Sequence, residues 1–142
     1  MHALKMIVAA PLLLLMACAE HAERPRHVVE TTVPPARIYL PALSEPANGT
    51  VRVTFRRGAH SGDAGSWCNV SFDGQLYAAL GRDEKVSAWL APGPHVFQVA
   101  ATGNPQLVFA PQSTEANLAP GEPFTLHVEW TANGPLLHAP DH

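Results

Sequence analysis

Apolar and polar residues alternate in short stretches along the chain from Gly49 onward. In the first stretch, Val51, Val53 and Phe55 alternate with polar residues. A two-residue period puts the apolar side chains on one face of a strand, so each stretch is predicted to be a half-buried β-strand. Seven strands are predicted, with apolar positions within Val51–Phe55, Cys68–Phe72, Leu76–Leu80, Val86–Leu90, Phe97–Val99, Leu107–Phe109 and Phe124–Trp130.

Turn residues separate these stretches at intervals of roughly eight to twelve residues. Asp73-Gly74 is typical of a tight hairpin, and Pro92-Gly93 and Pro120-Gly121 mark further turns. No stretch beyond Gly49 has the period of an amphipathic helix. The pattern therefore predicts an all-β fold, a small antiparallel β-sandwich.

The N-terminus has the parts of a secretory signal: Lys5 in a short basic region, then an apolar run over residues 6–16. The run is shorter than the roughly 20 residues of a permanent membrane helix. Leu15-Met16-Ala17-Cys18 resembles the lipobox of bacterial lipoprotein precursors, in which the cysteine thiol receives a diacylglyceryl group and the chain is cleaved before it.

The lipobox resemblance implies cleavage between Ala17 and Cys18 and a covalent lipid on Cys18, and no other cofactor is predicted. Ala19 resembles the residue that lets lipoproteins move on to the outer membrane. An ordinary signal peptide, cleaved near Ala17 or Ala19, remains the alternative interpretation.

Four segments are predicted from these patterns. Residues 1–17 form the signal peptide, and 18–48 form the lipidated cysteine with a flexible, proline-rich tether. The β-sandwich domain covers 49–131, and 132–142 is a C-terminal tail. Within the tether, Arg37–Leu40 is the one apolar piece. It is predicted to form either an edge strand of the domain or part of the flexible coil.

The motif Val70–Gln75 followed by Leu90–Phe97 resembles the frame of PEGA-type domains and of a related group of small bacterial lipoprotein domains. Their frame has an Asp-Gly hairpin and a later Pro-Gly-His turn, and Arg56-Arg57 and Pro120–Val128 match its outer parts. The resemblance spans Gly49 to Trp130. It implies an immunoglobulin-like sandwich of about seven strands in the cell envelope, without an assigned chemistry.

Composition narrows the classes of partner. The chain has 142 residues, enough for one domain, and a formal net charge of -3 with a pI near 6.2. Such a charge provides no basic field for nucleic acid or for an anionic lipid surface. Nucleic acid is therefore not expected as a partner.

Two tryptophans are candidate ligand contacts. Trp67 and Trp89 are out of phase with the apolar positions of their strands, so both are predicted to be exposed and to offer a platform for sugars or peptidoglycan. Packing at the end of the sandwich or against Ile38-Tyr39 is the alternative. Trp130 is in phase and is predicted to be core.

Other reactive side chains receive structural interpretations. Cys68 lies in an apolar run and is predicted to be a buried thiol, with a reactive thiol as the alternative. His60, Ser61 and Asp63 share one polar loop, where a catalytic geometry is not expected. No histidine spacing predicts a metal site, and His95 is predicted to support its turn.

The function predicted from these observations is that of a non-catalytic lipoprotein, held to the outer membrane by lipid and facing the periplasm. It would serve as an adaptor or accessory in an envelope assembly, with a protein partner. A peptidoglycan- or glycan-binding module that uses Trp67 and Trp89 is the alternative.

Overall fold

The computed structural model describes residues 29–58, 66–103, 106 and 108–140. The predicted signal peptide, the cleavage site at Ala17 and Cys18, and the loop residues His60, Ser61 and Asp63 lie outside the described residues. Nine strands occur within the described part: β1 Thr31–Thr32, β2 Val51–Arg57, β3 Trp67–Phe72, β4 Gln75–Leu80, β5 Glu84–Leu90, β6 Gly93–Thr102, β7 Gln112–Leu118, β8 Phe124–Thr131 and β9 Gly134–His138.

The strands form two sheets that pack as a sandwich. The five-stranded sheet has the order β1-β5-β2-β8-β9, and the four-stranded sheet has the order β4-β3-β6-β7. The all-β sandwich prediction is confirmed, with nine strands in place of seven. Most neighbours are antiparallel, but β1 with β5 and β2 with β8 are parallel pairs.

The core lies between the sheets and consists of the apolar positions of the alternating stretches. Phe55 of β2 and Phe97 of β6 are fully buried and meet edge to face, with ring centroids 5.9 Å apart, which joins the two sheets. The other fully buried apolar side chains on the strands include Val53, Cys68, Val70, Leu80, Ala88, Val99 and Leu126.

A β-bulge changes which side chains of β4 face the core. Val70 pairs with Ala78, but the next residue of β3, Ser71, pairs with Leu76, so Tyr77 is the extra residue. Tyr77 is fully buried, whereas Leu76 is exposed. The prediction that Leu76 faces the core with Ala78 is therefore wrong, because the bulge shifts the alternation by one position.

The strand predicted around Leu107–Phe109 is absent from the described residues, among which Leu107 is not included. Val108 is 89% exposed, and Phe109 packs edge to face on Trp130, at 6.0 Å between centroids. A Cβ on Gly134 would lie 2.7 Å from Phe109, so that position requires glycine. The strand of this region is β7, which the alternation did not predict.

The domain is wider than the predicted range 49–131. Residues 31–44, here called the N-terminal strap, pack on the sandwich in place of forming tether. The amide N–H of Val33 donates to the Lys85 carbonyl at 3.0 Å, and that of Tyr39 donates to the Tyr77 carbonyl at 2.7 Å. The strap thus contacts β5 in one sheet and the edge strand β4 in the other, and it adds Val33, Ile38, Leu40 and Leu43 to the core.

Of the two alternatives predicted for Arg37–Leu40, the edge strand does not form, and the flanking prolines explain why. Pro35 and Pro41 each begin a 3-10 helix, Pro35–Arg37 and Pro41–Ser44, because the ring fixes φ and removes the amide donor. Between the two helices, Ile38 makes a single bridge to Ala78. The predicted tail also differs, since β9 pairs along β8 from Gly134 to His138.

Arg37 fastens the strap to the sandwich. Its guanidinium donates to both carboxylate oxygens of Glu84, at 2.7 and 2.6 Å, and to the Ala79 carbonyl at 3.0 Å. Glu84 also accepts from the Gly81 amide at 2.6 Å. The hydrogen bonds from Arg37 hold the pKa of the Glu84 carboxyl below its ordinary value of 4.5.

We expect Glu84→Gln to lower the free energy of unfolding at pH 7 by about 1–3 kcal/mol, because a hydrogen bond to a charged group is replaced by a neutral one. The depressed pKa means that the carboxylate contributes stability above about pH 4.5, and that this contribution is lost as the pH falls through the folded-state value. Urea unfolding of both proteins from pH 3 to 7 measures this difference.

The exposed Glu45 provides the control for this prediction. Glu45→Gln makes the same change of charge away from Arg37, and should alter the unfolding free energy by less than about 0.5 kcal/mol at any pH. Equal effects of the two substitutions would contradict the role given to the Arg37–Glu84 pair.

Candidate functional site

The two candidate tryptophans do not form one surface. Trp67 begins β3 in the four-stranded sheet, and Trp89 lies near the end of β5 in the five-stranded sheet. Each alternates with buried neighbours, so each points to the outer face of its own sheet. Trp89 pairs with Arg52 near the start of β2, while Trp67 follows Ser66, which contacts Arg57 at the end of β2. The predicted joint platform is therefore wrong.

Trp67 forms part of the attachment of the strap. The Arg37 guanidinium lies 4.2 Å from the centre of the Trp67 ring, which is the geometry of a cation–π contact. One face of the indole is therefore occupied by the protein itself. A shallow cleft of 300 Å³ remains beside it, lined among others by Tyr39, Asn69 and Thr102. Trp67 therefore packs against Arg37, which directly precedes the Ile38-Tyr39 segment of the alternative interpretation.

Trp89 borders a smaller cleft on the opposite face. The cleft measures 220 Å³, and its walls include Thr50, Arg52 and the turn residues Glu122 and Pro123. Trp89 is half-buried, so its ring is only partly available to a ligand.

A buried arginine lies at the end of β2. Arg57 is fully buried, and it donates to the Ser66 carbonyl at 2.7 Å and to the Leu80 carbonyl at 3.4 Å. Its guanidinium also lies 5.0 Å from the ring centre of Trp130, which is partly buried against the core. Burial lowers the pKa of Arg57. Arg57 continues the alternation of Val51, Val53 and Phe55, so its phase was the available signal for its burial.

Cys68 is a buried thiol among the described residues. Its side chain is fully buried, and burial raises the pKa of the thiol to about 11. The reactive form of a cysteine is the thiolate. At neutral pH this environment favours the unreactive thiol, in agreement with the structural interpretation.

Asp73 and His95 join two turns of the sandwich. His95 Nδ1 lies 2.6 Å from Asp73 Oδ2, and Nε2 lies 2.7 Å from the Ala91 carbonyl oxygen. The second Asp73 oxygen accepts from the Val96 amide at 2.9 Å, and this bond is the main reason that the pKa of Asp73 is lowered. Both partners of the imidazole are acceptors, so only the imidazolium donates to both at once.

The Asp73–His95 contact depends on the hairpin that the sequence predicted. Asp73 and Gly74 have φ values of 51° and 78°, which is the left-handed pair of a type I′ turn. This turn connects β3 to β4 and presents the Asp73 carboxylate to β6. The predicted structural role of His95 agrees with these contacts, because both of its nitrogens are engaged within the domain.

A cleft of 370 Å³ lies beside this contact. It is lined by Asp73, Pro94, His95, Val96 and three residues of β7, namely Glu115, Ala116 and Asn117. The β7 residues were not among the predicted site residues, because β7 itself was not predicted.

No group of three or more metal-ligating side chains occurs within residues that the structure describes. Two histidines lie side by side on the five-stranded sheet, His127 of β8 and His138 of β9, and His138 Nε2 is 2.6 Å from Glu129. In the same residues, no helix has the length and hydropathy needed to cross a membrane.

Comparison with known proteins finds no family model and no curated protein that matches the chain. The resemblance to PEGA-type and related lipoprotein domains therefore stays a prediction from the sequence motifs.

We expect the Cys68 thiol to be unreactive in the folded protein. In the Cys18→Ser variant, in which Cys68 is the one remaining cysteine, a disulfide reagent at pH 8 should label the folded protein far more slowly than the unfolded protein, since burial disfavours the thiolate. Absorbance of the released thiol measures both rates. Rapid labelling of the folded protein would contradict the buried thiol.

We expect His95→Ala to lower the free energy of unfolding by about 1–3 kcal/mol, because two hydrogen bonds are lost and their acceptors remain. Asp73→Asn keeps an acceptor for the Val96 amide and suits the positive φ at that position. If the two side chains act through one contact, the double variant should lose less than the sum of the single losses in urea unfolding. Additive losses would contradict the coupling.

Proposed function

We propose that this protein is a lipid-anchored, non-catalytic envelope protein that acts as an adaptor or accessory for a protein partner. The observation that carries the proposal is the sequence Leu15-Met16-Ala17-Cys18 at the end of an apolar run, followed closely by a folded sandwich. Two acyl chains on one residue give lasting attachment, which a single chain does not. Ala19 supports an outer-membrane location that faces the periplasm.

The sandwich begins closer to Cys18 than the predicted tether implied. Because the strap starts at Thr31, the extended chain from Cys18 to the first strand spans at most about 45 Å. The anchored domain would therefore work close to the membrane surface, and its partner would have to reach the same layer.

The two clusters of charged side chains in the domain support an adaptor more than an enzyme, because their polar atoms bond to the domain itself. Arg37 with Glu84, and Asp73 with His95, use their polar atoms in hydrogen bonds that join one element of the sandwich to another. A glycan platform made of Trp67 and Trp89 together is not proposed, because the two rings lie on opposite faces of the sandwich.

We expect native protein from its host membrane to carry a diacylglyceryl group on Cys18 as its first residue, because the lipobox directs both modification and cleavage. Mass spectrometry of the N-terminal peptide measures both. Cys18→Ser should move the protein from the membrane pellet to the soluble fraction after a carbonate wash. Cys68→Ser is the matched control and should remain in the pellet.

Two outcomes would overturn the anchor. One is an unmodified Cys18 thiol, or a mature chain that starts at another residue. The other is a Cys18→Ser variant that stays in the carbonate-washed membrane as completely as the unaltered protein.

A further inference from the structure

Sheet edges attract further strands because their backbone groups lack partners, and three of the four edges here have a feature that limits pairing. The edge of β5 is covered by β1. Beside β4, the strap bonds through the Tyr39 amide and the Ile38 bridge. β9 is short and contains Pro135, which has no amide donor.

The fourth edge, β7, packs against β9 of the other sheet, but no strand or strap pairs with its outer side within the described residues. All seven residues of Gln112–Leu118 pair in regular register with β6, without a bulge and without proline or lysine. The strand is the last of its sheet in the described part of the chain. Among the described residues its outer side has no backbone partner, so it offers a template for one more strand.

The charge of this sheet favours a basic strand at the β7 edge. The four strands of its sheet contain no lysine or arginine, and Glu115 is their one charged residue apart from histidine. Glu115 is exposed at the centre of β7, and its carboxylate makes no ion pair within the residues that the structure describes. A cation on an added strand would meet an acid that the sheet itself does not neutralise.

The same charge opposes pairing with a second copy of the chain. Full antiparallel overlap of two β7 strands is centred on position 115, so it would put Glu115 directly opposite Glu115. Like charges in directly opposed positions are destabilising. A strand with lysine or arginine opposite Glu115 would instead be stabilised by the opposite charges. The β7 edge therefore favours a basic partner over a second copy of β7.

The aliphatic stem of a lysine or arginine opposite Glu115 would also find an apolar surface on this face. Val96 pairs with Glu115 across β6 and β7, and it is 42% exposed. It lines the 370 Å³ cleft together with Pro94 and the acidic Asp73. The outer surface next to β7 thus combines apolar contact with negative charge.

We propose that β7 binds an extended, basic segment of a partner protein, which adds as a fifth strand to the four-stranded sheet. A lysine or arginine of that segment pairs with Glu115 on the outer face, with its aliphatic stem toward Val96, and the apolar side chains that alternate with it face the other side of the sheet. This inference names the partner surface of the proposed adaptor function and rests on it.

The test uses the purified full chain in detergent and a short fluorescent peptide in which lysine and valine alternate. The peptide should bind, and a matched peptide with glutamate in place of lysine should bind roughly fivefold more weakly or worse. Glu115→Lys should reverse this preference. Glu122→Lys, the same change at an exposed turn residue, should leave it unchanged.

Amide hydrogen exchange locates the binding. The lysine peptide should slow exchange within Gln112–Leu118, since an added strand would bond the amides on its free side. Equal binding of both peptides, slowing elsewhere but not in β7, or a dimer that itself protects β7 would each overturn the proposal. The lipid anchor is tested separately by the Cys18 experiments, so a failure of the β7 proposal can be distinguished from a failure of the anchor.

Discussion

The contact between the N-terminal strap and the two sheets is the condition on which the closed core depends. Between two packed sheets, the open sides would expose core side chains and unpaired backbone groups to water. On one side, β9 lies against β6 and β7. On the other side the strap covers β5 and β4, and Arg37 holds it there through Glu84 and the Ala79 carbonyl. Without the strap, the core would lose Val33, and the part of the core beneath Val33 would face solvent.

Strands with strict alternation of large apolar residues were predictable, because burial of one face leaves that pattern in the sequence. β7 was not, since its inward side chains include the small Thr114 and Ala116 and only Leu118 is fully buried. The bulge at Tyr77 was equally hidden, because an extra residue changes phase without a sequence signal of its own. The strap was missed because its prolines are typical both of a coil and of the short 3-10 helices that it forms.

The candidate site could be predicted only in part, for a geometric reason. Alternation states which face of its own strand a side chain occupies, so Trp67 and Trp89 were correctly expected to point outward. Alternation does not show which sheet a strand joins. The two rings lie apart because their strands belong to different sheets. The structural role of His95 was predictable because His95 belongs to a turn motif. The role proposed for Glu115 was not, because it depends on the absence of lysine and arginine from the three other strands of its sheet.

The parallel pairing of β2 with β8 has a consequence for how the chain reaches this fold. Val53 pairs with Phe124, about 70 residues later in the chain, so the central strand of its sheet receives its second neighbour from the far end of the domain. Contacts between distant residues form slowly, because a long loop must close first. A chain that emerges N-terminus first, from a ribosome or through a translocation pore, therefore remains incomplete until nearly all of it has appeared, and needs protection from aggregation during that interval.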